Sequence, residues 1–211
     1  MICLSCGAPT SDSTTADDSA SGSDAAGDFI IIPGEKVGLI TPKTATREAV
    51  LKLYGDNART DSVYVSEGIF QEGVVLFPDD PTKRVELFWS SSPETGHTLL
   101  IKIINPQNPQ DGSVWKTDAG ITLGTSMEEV EKLNGMPFTF YGFGWDYGGI
   151  VADWGGGKFH ESLKFRFKPT VSIEEPAELG GEVELKSNAQ KVRDSNPAVD
   201  VILVYLQVGS N

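Results

Sequence analysis

The residues of this chain best suited to bind a ligand are aromatic side chains that flank a carboxylate. Trp145, Asp146 and Tyr147 are consecutive in a glycine-rich stretch that continues to Trp154. Trp and Tyr rings give a partner protein rigid contact area and give a sugar ring a surface to stack on, and Asp146 can accept hydrogen bonds from sugar or amide groups. We therefore predict a partner-binding site at Trp145, Asp146, Tyr147 and Trp154.

The same stretch is also consistent with a structural role. Its glycines are typical of a hairpin turn, and alternation along a strand points Phe138 and Phe140 inward. On this interpretation the aromatic side chains pack a helix against a sheet. Binding is favoured most at residues 145–147, because functional residues concentrate in turns and loops.

No residue pattern indicates catalysis. The two histidines, His97 and His160, lie beside predicted strands without acid–His–acid spacing, so we expect both at the surface. Residues 155–158 (Gly-Gly-Gly-Lys) lack the spacing of a phosphate-binding loop and predict a hairpin turn. We predict no catalytic residue, no metal site and no cofactor, and a protein that is not an enzyme. A hydrolase is the enzymatic alternative, and it requires a concave pocket with convergent carboxylates or a His–acid pair.

Both cysteines, Cys3 and Cys6, precede a run of small and acidic residues. An apolar start, a small residue and then Cys6 resemble the end of a bacterial lipoprotein signal, although the basic and long apolar parts of a signal are missing. We expect a lipid on Cys6, a disordered linker over residues 1–28, and a location in the bacterial cell envelope, in the periplasm or at the outer membrane. Secretion is the alternative location. A Cys-x-x-Cys redox pair and a disordered terminus with two free thiols are the other interpretations of this segment.

Charge excludes two classes of partner. The 30 acidic and 17 basic side chains give a net charge of −13. Residues 1–28 hold five of the acids and no base, which leaves 25 acids and 17 bases, or −8, on the rest of the chain. Binding to nucleic acid or to anionic lipid headgroups requires a basic surface. A helix that spans a bilayer needs about 20 consecutive apolar residues, and the sequence has no apolar run of that length. A lipid on Cys6 is therefore the only membrane contact we expect.

An internal repeat predicts the architecture. Residues 40–55 align with residues 121–135, with one residue inserted in the first copy, and Ile, Thr, Glu, Val, Lys, Leu and Gly recur in register. Thr46 and Ser126 are suited to cap helix N-termini, and the apolar residues after them have helical spacing. Each copy is therefore predicted to begin with a short amphipathic helix.

Four strands are predicted after each helix. After the first helix they lie at residues 63–70, 73–77, 84–89 and 98–104, and after the second at 138–143, 149–154, 162–168 and 199–208. The short connections between them favour antiparallel pairing. The predicted fold class is α+β in two tandem repeats, with a first repeat over residues 29–110 and a second over 111–211 that carries an insert at 169–198.

The second copy resembles a known repeat. Residues 121–126 (Ile-Thr-Leu-Gly-Thr-Ser), followed by Val130, Leu133, Gly135 and Pro137, are similar to the repeat of β-lactamase-inhibitor-like (BLIP-like) proteins and to the small lipoproteins of outer-membrane assembly, the SmpA/OmlA type. The first copy has Pro-Lys where the second has Leu-Gly. The resemblance implies a secreted or lipid-anchored protein that binds other proteins, and it assigns no binding residue. A tethered tandem domain is also similar to uncharacterised lipoproteins of Bacteroidetes-type bacteria.

These observations predict a tethered, non-enzymatic envelope domain. Its expected partner is another protein or an envelope polymer, bound on the open face of a curved sheet. The first alternative is an inhibitor of a secreted enzyme, which requires a protruding loop shaped for a cleft. The second alternative is the hydrolase.

Overall fold

The computed structural model describes residues 1, 28–92, 96–171 and 178–209, and it shows an α+β protein built mostly of strands. The helices are α1 (Arg47–Tyr54), α2 (Met127–Asn134) and α3 (Gln190–Asp194). The strands are β1 (Ile30–Ile32), β2 (Lys36–Val37), β3 (Ala58–Ser66), β4 (Ile69–Leu76), β5 (Val85–Ser92), β6 (Gly96–Ile104), β7 (Lys116–Thr117), β8 (Thr139–Tyr141), β9 (Val151–Asp153), β10 (Leu163–Pro169), β11 (Glu184–Lys186) and β12 (Pro197–Gln207). Cys6, the predicted lipidation site, lies outside the described residues.

The strands form three sheets. The largest has six antiparallel strands in the order β10-β12-β6-β5-β4-β3. Two small sheets have the orders β2-β1-β7 and β11-β8-β9, and β1 pairs with β7 in parallel. Because β12 pairs with β6, strands that follow α1 and strands that follow α2 lie in one sheet.

The first two helices begin where their capping residues predict. The Thr46 hydroxyl accepts a hydrogen bond from the Ala49 backbone N–H at the start of α1, and the Ser126 hydroxyl accepts one from Glu129 at the start of α2. These bonds satisfy N–H groups that have no partner within a helix. At the other end of α2, Gly135 has the left-handed backbone (φ 80°) that commonly ends a helix.

The predicted strand at residues 63–70 is wrong. This segment contains the end of β3, a turn at Glu67 and Gly68, and the start of β4. The apolar residues on both sides of the turn read as one run, and Glu67 adopts a positive φ of 49° that its residue type does not predict. The insert at 169–198 has structure of its own, since β11 and α3 lie within it.

The main core lies between one face of the large sheet and the remaining elements. Its largest fully buried side chains include Trp115, Phe138, Phe140, Phe165 and Phe167. These rings remove more apolar surface from water than any aliphatic side chain does, so they contribute strongly to the stability of the fold.

Asn134, the last residue of α2, is a polar member of this core. Its side-chain Nδ2 donates to the carbonyl oxygens of Met136 and Trp154, both at 2.8 Å, and its Oδ1 accepts from the Phe159 N–H at 3.3 Å. The side chain is fully buried, and a buried polar group must be paired to be tolerated. Asn134 therefore fastens the end of α2 to the segment that follows β9.

The β3–β4 hairpin forms one edge of the large sheet and contributes Val63 and Val75 to the face opposite the main core. That face carries a small buried cluster of Val63, Val75 and Phe88. Lys102, on β6, reaches across this face and donates to the carbonyl oxygen of Tyr64 on β3 at 3.2 Å. The fold brings the tip of the hairpin to the loop that carries the predicted site.

Candidate functional site

The predicted site lies in the loop between β8 and β9. One side of this loop runs against β10, where a Cβ on Gly149 would lie 2.0 Å from the Phe167 carbonyl oxygen. On the other side, the N–H of Gly142 donates to Val183 and the N–H of Phe143 donates to Leu179, both at 2.7 Å. Glycine is required at position 149 by this close approach, and the loop is held from two directions.

Among the described residues, four side chains of this region line an open depression of about 400 Å³. They are Tyr141, Trp145, Tyr147 and Glu182, and we call the site the aromatic depression. The Trp145 ring lies 5.9 Å from the Tyr141 ring and 5.4 Å from the Tyr147 ring, at interplanar angles of 74° and 65°. Tyr147 is 40% exposed, and Trp145 and Tyr141 are half-buried. The depression therefore presents inclined aromatic faces beside a carboxylate.

The orientation of the Trp145 side chain is fixed by a hydrogen bond to the backbone three residues earlier. The indole N–H donates to the carbonyl oxygen of Gly142 at 2.9 Å. This bond uses the single polar hydrogen of the side chain. What Trp145 offers to a ligand is therefore its aromatic face.

Asp146 joins the loop to the β3–β4 hairpin. Its carboxylate accepts one hydrogen bond from the Tyr64 hydroxyl and one from the Glu67 N–H, both at 3.0 Å. The sequence predicted that Asp146 would accept hydrogen bonds from a ligand. In the structure its two oxygens hold the hairpin tip against the aromatic loop.

Trp154 belongs to the core. It is 5% exposed, its indole N–H donates to the Leu163 carbonyl oxygen at 2.9 Å, and its ring lies 5.2 Å from the ring of Phe138. The sequence predicts Trp154 as a contact residue, but its side chain is almost entirely buried and does not line the aromatic depression. It points inward because it follows β9, which packs on the core.

Two members of the aromatic depression were not predicted as site residues. Tyr141 was within the aromatic stretch, and alternation from Phe140, which is fully buried, places it outward. Glu182 comes from the insert, and nothing in its local sequence connects it to residues 141–147. Its position depends on the backbone pairing of residues 179–183 with the loop.

Two glutamates lie at the depression. Glu182 lines it, and Glu184 lies directly opposite Tyr141 in the pairing of β11 with β8. In the described part of the chain, neither glutamate nor Asp146 forms an ion pair. Lys186 lies at the other end of β11. The carboxylates keep their charge uncompensated.

Tyr205, on β12, is a neighbour of this site. Burial raises the pKa of its hydroxyl, and the proximity of Tyr147 raises it further. Tyr147, in the aromatic loop, therefore lies near Tyr205.

A second depression, of about 440 Å³, is more polar. Asp153, Glu161 and Lys164 line it together with the ring of Phe159. Lys164 donates to the Ala152 carbonyl oxygen at 3.0 Å, and burial lowers its pKa, an effect that Asp153 and Glu161 oppose. The hydrolase alternative requires convergent carboxylates or a His–acid pair; this depression is lined by two carboxylates, and its described lining residues include no histidine.

The histidines lie elsewhere and at the surface, as predicted. His97 Nδ1 and the Ser91 hydroxyl are hydrogen-bonded at 2.7 Å, and His160 Nδ1 and the Ser162 hydroxyl at 2.8 Å. Among the residues that the structure describes, no three His, Cys, Asp or Glu side chains are grouped to hold a metal ion.

Comparison with known proteins finds no family model, curated protein or solved structure that matches this chain. Within the described ranges, no helix has the length and apolar character to cross a membrane.

Proposed function

We propose that the protein is a non-catalytic binding domain whose contact site is the aromatic depression. The observation that carries this proposal is that three aromatic rings, Tyr141, Trp145 and Tyr147, line an open depression in a loop held by hydrogen bonds of Trp145 and Asp146. Rigid aromatic side chains lose little conformational entropy on binding. The partner is another protein or an envelope polymer.

We also propose that the domain is tethered to the bacterial envelope through a lipid on Cys6, and that α1 and α2 mark two BLIP-like repeats. Support for the repeats comes from the two helices, which have eight residues each and begin at a Thr or Ser that caps an N–H three residues later. Support for the tether comes from the order of segments in the sequence, where a polar linker follows Cys6.

Inhibition of a secreted enzyme is the second candidate function. Residues 67–72, at the tip of the β3–β4 hairpin, are all exposed, and they include Ile69 at 51% and Phe70 at 61% exposure. Two exposed apolar side chains at a hairpin tip are a feature of protein–protein contact sites, and they support insertion into the cleft of an enzyme.

A pull-down experiment tests the proposal. The full-length chain is incubated with envelope extract, and bound partners are fixed by chemical cross-linking and recovered with it. Trp145→Ala removes the central ring and should abolish capture. Met136→Ala is the matched control, because Met136 is 49% exposed and lies outside the depression, and it should capture normally. Loss of capture in Phe70→Ala but not in Trp145→Ala would contradict the proposal and favour the inhibitor.

A further inference from the structure

We propose that the aromatic depression binds the cationic end of a lysine or arginine side chain on a partner protein. This inference rests on the proposed function and names the ligand of that site. A cation is attracted to the face of an aromatic ring by the negative charge of the π system, most strongly to Trp. Several rings inclined to one another enclose such a group better than one flat surface does.

The geometry of the rings fits a small enclosed group. The Tyr141 and Tyr147 rings stand at 74° and 65° to the Trp145 ring, with centroids 5.9 and 5.4 Å away. The Trp145 ring is therefore inclined to both tyrosine rings, and all three rings line the open depression. An extended sugar chain would instead need a flat platform with free donors and acceptors beside it.

Two polar groups of the aromatic loop are already hydrogen-bonded within the protein. The Trp145 N–H is bonded to Gly142, and the Asp146 oxygens are bonded to Tyr64 and Glu67. These donors are neutral, so they leave the negative charge of Asp146 in place. The carboxylate that lines the depression is Glu182, and its negative charge beside the rings favours a cation.

Elsewhere in this protein, a basic side chain lies over an aromatic ring and pairs with a carboxylate. The Arg47 guanidinium lies over the Trp89 ring at 5.4 Å from the centroid and forms an ion pair with Glu72. Likewise, the Lys102 ammonium lies over the Tyr64 ring at 5.8 Å. Each of these faces is covered by a basic residue of the chain itself.

No basic residue covers the aromatic depression in the described part of the chain. The rings of Tyr141, Trp145 and Tyr147 have no cation over them, and Glu182 has no ion-pair partner. Arg47 is held by the face of a Trp ring and by a carboxylate. The depression has the same two groups, and no basic residue of the described chain occupies it. A partner's basic side chain would complete it.

Fluorescence titration of the full chain at constant ionic strength tests the inference. The probes are arginine amide and lysine amide, with citrulline amide as the neutral counterpart of arginine. We expect saturable binding of the two cations and no binding of citrulline amide. Trp145→Ala should weaken arginine amide binding by about two- to thirtyfold, and Glu182→Gln by about two- to fivefold. Glu35→Gln removes the charge of an exposed turn residue outside the depression and should change nothing.

Three outcomes would overturn the inference, and they separate it from the proposed function. Equal binding of citrulline amide would show that charge is not recognised. Binding of choline without binding of either amide would exclude a basic side chain as the ligand. A third outcome is that an N-acetylglucosamine oligosaccharide binds in a Trp145-dependent way and the cations do not bind. This result would be consistent with the proposed binding function and would exclude a cationic ligand. If partner capture is also indifferent to Trp145→Ala, the proposed function fails as well.

Discussion

The contact between Asp146 and the β3–β4 hairpin predicts a measurable coupling between residues distant in the sequence. Asp146 accepts hydrogen bonds from the Tyr64 hydroxyl and the Glu67 N–H, each at 3.0 Å. A hydrogen bond to a charged group contributes about 1.5–3 kcal/mol, and exposure to water reduces that value. Because the contact is exposed, we take about 1 kcal/mol for each bond and expect Asp146→Ala to lower the free energy of unfolding by about 2 kcal/mol.

A double-mutant cycle isolates one of the two bonds. Tyr64→Phe removes only the hydroxyl, and it keeps the ring that contacts Phe70 and lies under Lys102. Urea unfolding of the wild type, both single variants and the double variant should give a coupling free energy of about 0.5–1 kcal/mol. Additivity within about 0.3 kcal/mol would refute the contact.

Hydrogen exchange measures the second bond. The Glu67 N–H donates to Asp146, so its exchange should accelerate in Asp146→Ala. In Tyr64→Phe the carboxylate still accepts from this N–H, so the same amide should remain protected. Equal exchange rates at Glu67 in the wild type and in Asp146→Ala would contradict the role assigned to the carboxylate.

Three further changes test the fold that supports the site. Asn134→Ala leaves buried backbone groups without their side-chain partner and should lower the free energy of unfolding in urea by about 2–4 kcal/mol. Asp200→Asn should cost about 1–3 kcal/mol in the same assay, because the buried Asp200 carboxylate binds the Arg166 guanidinium through Nε at 3.0 Å and Nη2 at 2.7 Å. Burial raises the pKa of Tyr54 to about 12, so the folded state keeps a proton that the unfolded chain releases near pH 10. Stability should fall between about pH 10 and pH 12, and Tyr54→Phe should reduce that loss; equal alkaline unfolding of both proteins would contradict this assignment.

Local chemistry made the first two helices and several strands predictable, whereas α3 and strands β1, β2, β7 and β11 were not predicted. Thr46 and Ser126 cap the helices that they were expected to cap, since capping depends on a few adjacent residues. The turn at Glu67 and Gly68 was not predicted because Gly68 is its only turn-forming residue. Glu67 also adopts a positive φ, which is uncommon for a residue other than glycine.

The candidate site was predictable only in part. Trp145 and Tyr147 were expected from their position in a glycine-rich turn, and both border the depression. The position of Glu182 depends on backbone hydrogen bonds between segments about 40 residues apart in the sequence. The Asp146 carboxylate accepts a hydrogen bond from Glu67, which lies 79 residues away in the sequence. Such contacts depend on the assembled fold, and a single sequence carries no local signal for them.

The central claim is that the aromatic depression binds a cation at Trp145. Two-dimensional NMR of the full chain, titrated with arginine amide, tests it most directly through the indole N–H signals. The Trp145 signal should shift and saturate, because this N–H lies in the wall of the depression, bonded to Gly142. The signals of Trp115 and Trp154, which are buried at 0% and 5% exposure, should not move. An unmoved Trp145 signal, or the same shift with citrulline amide, would contradict the claim.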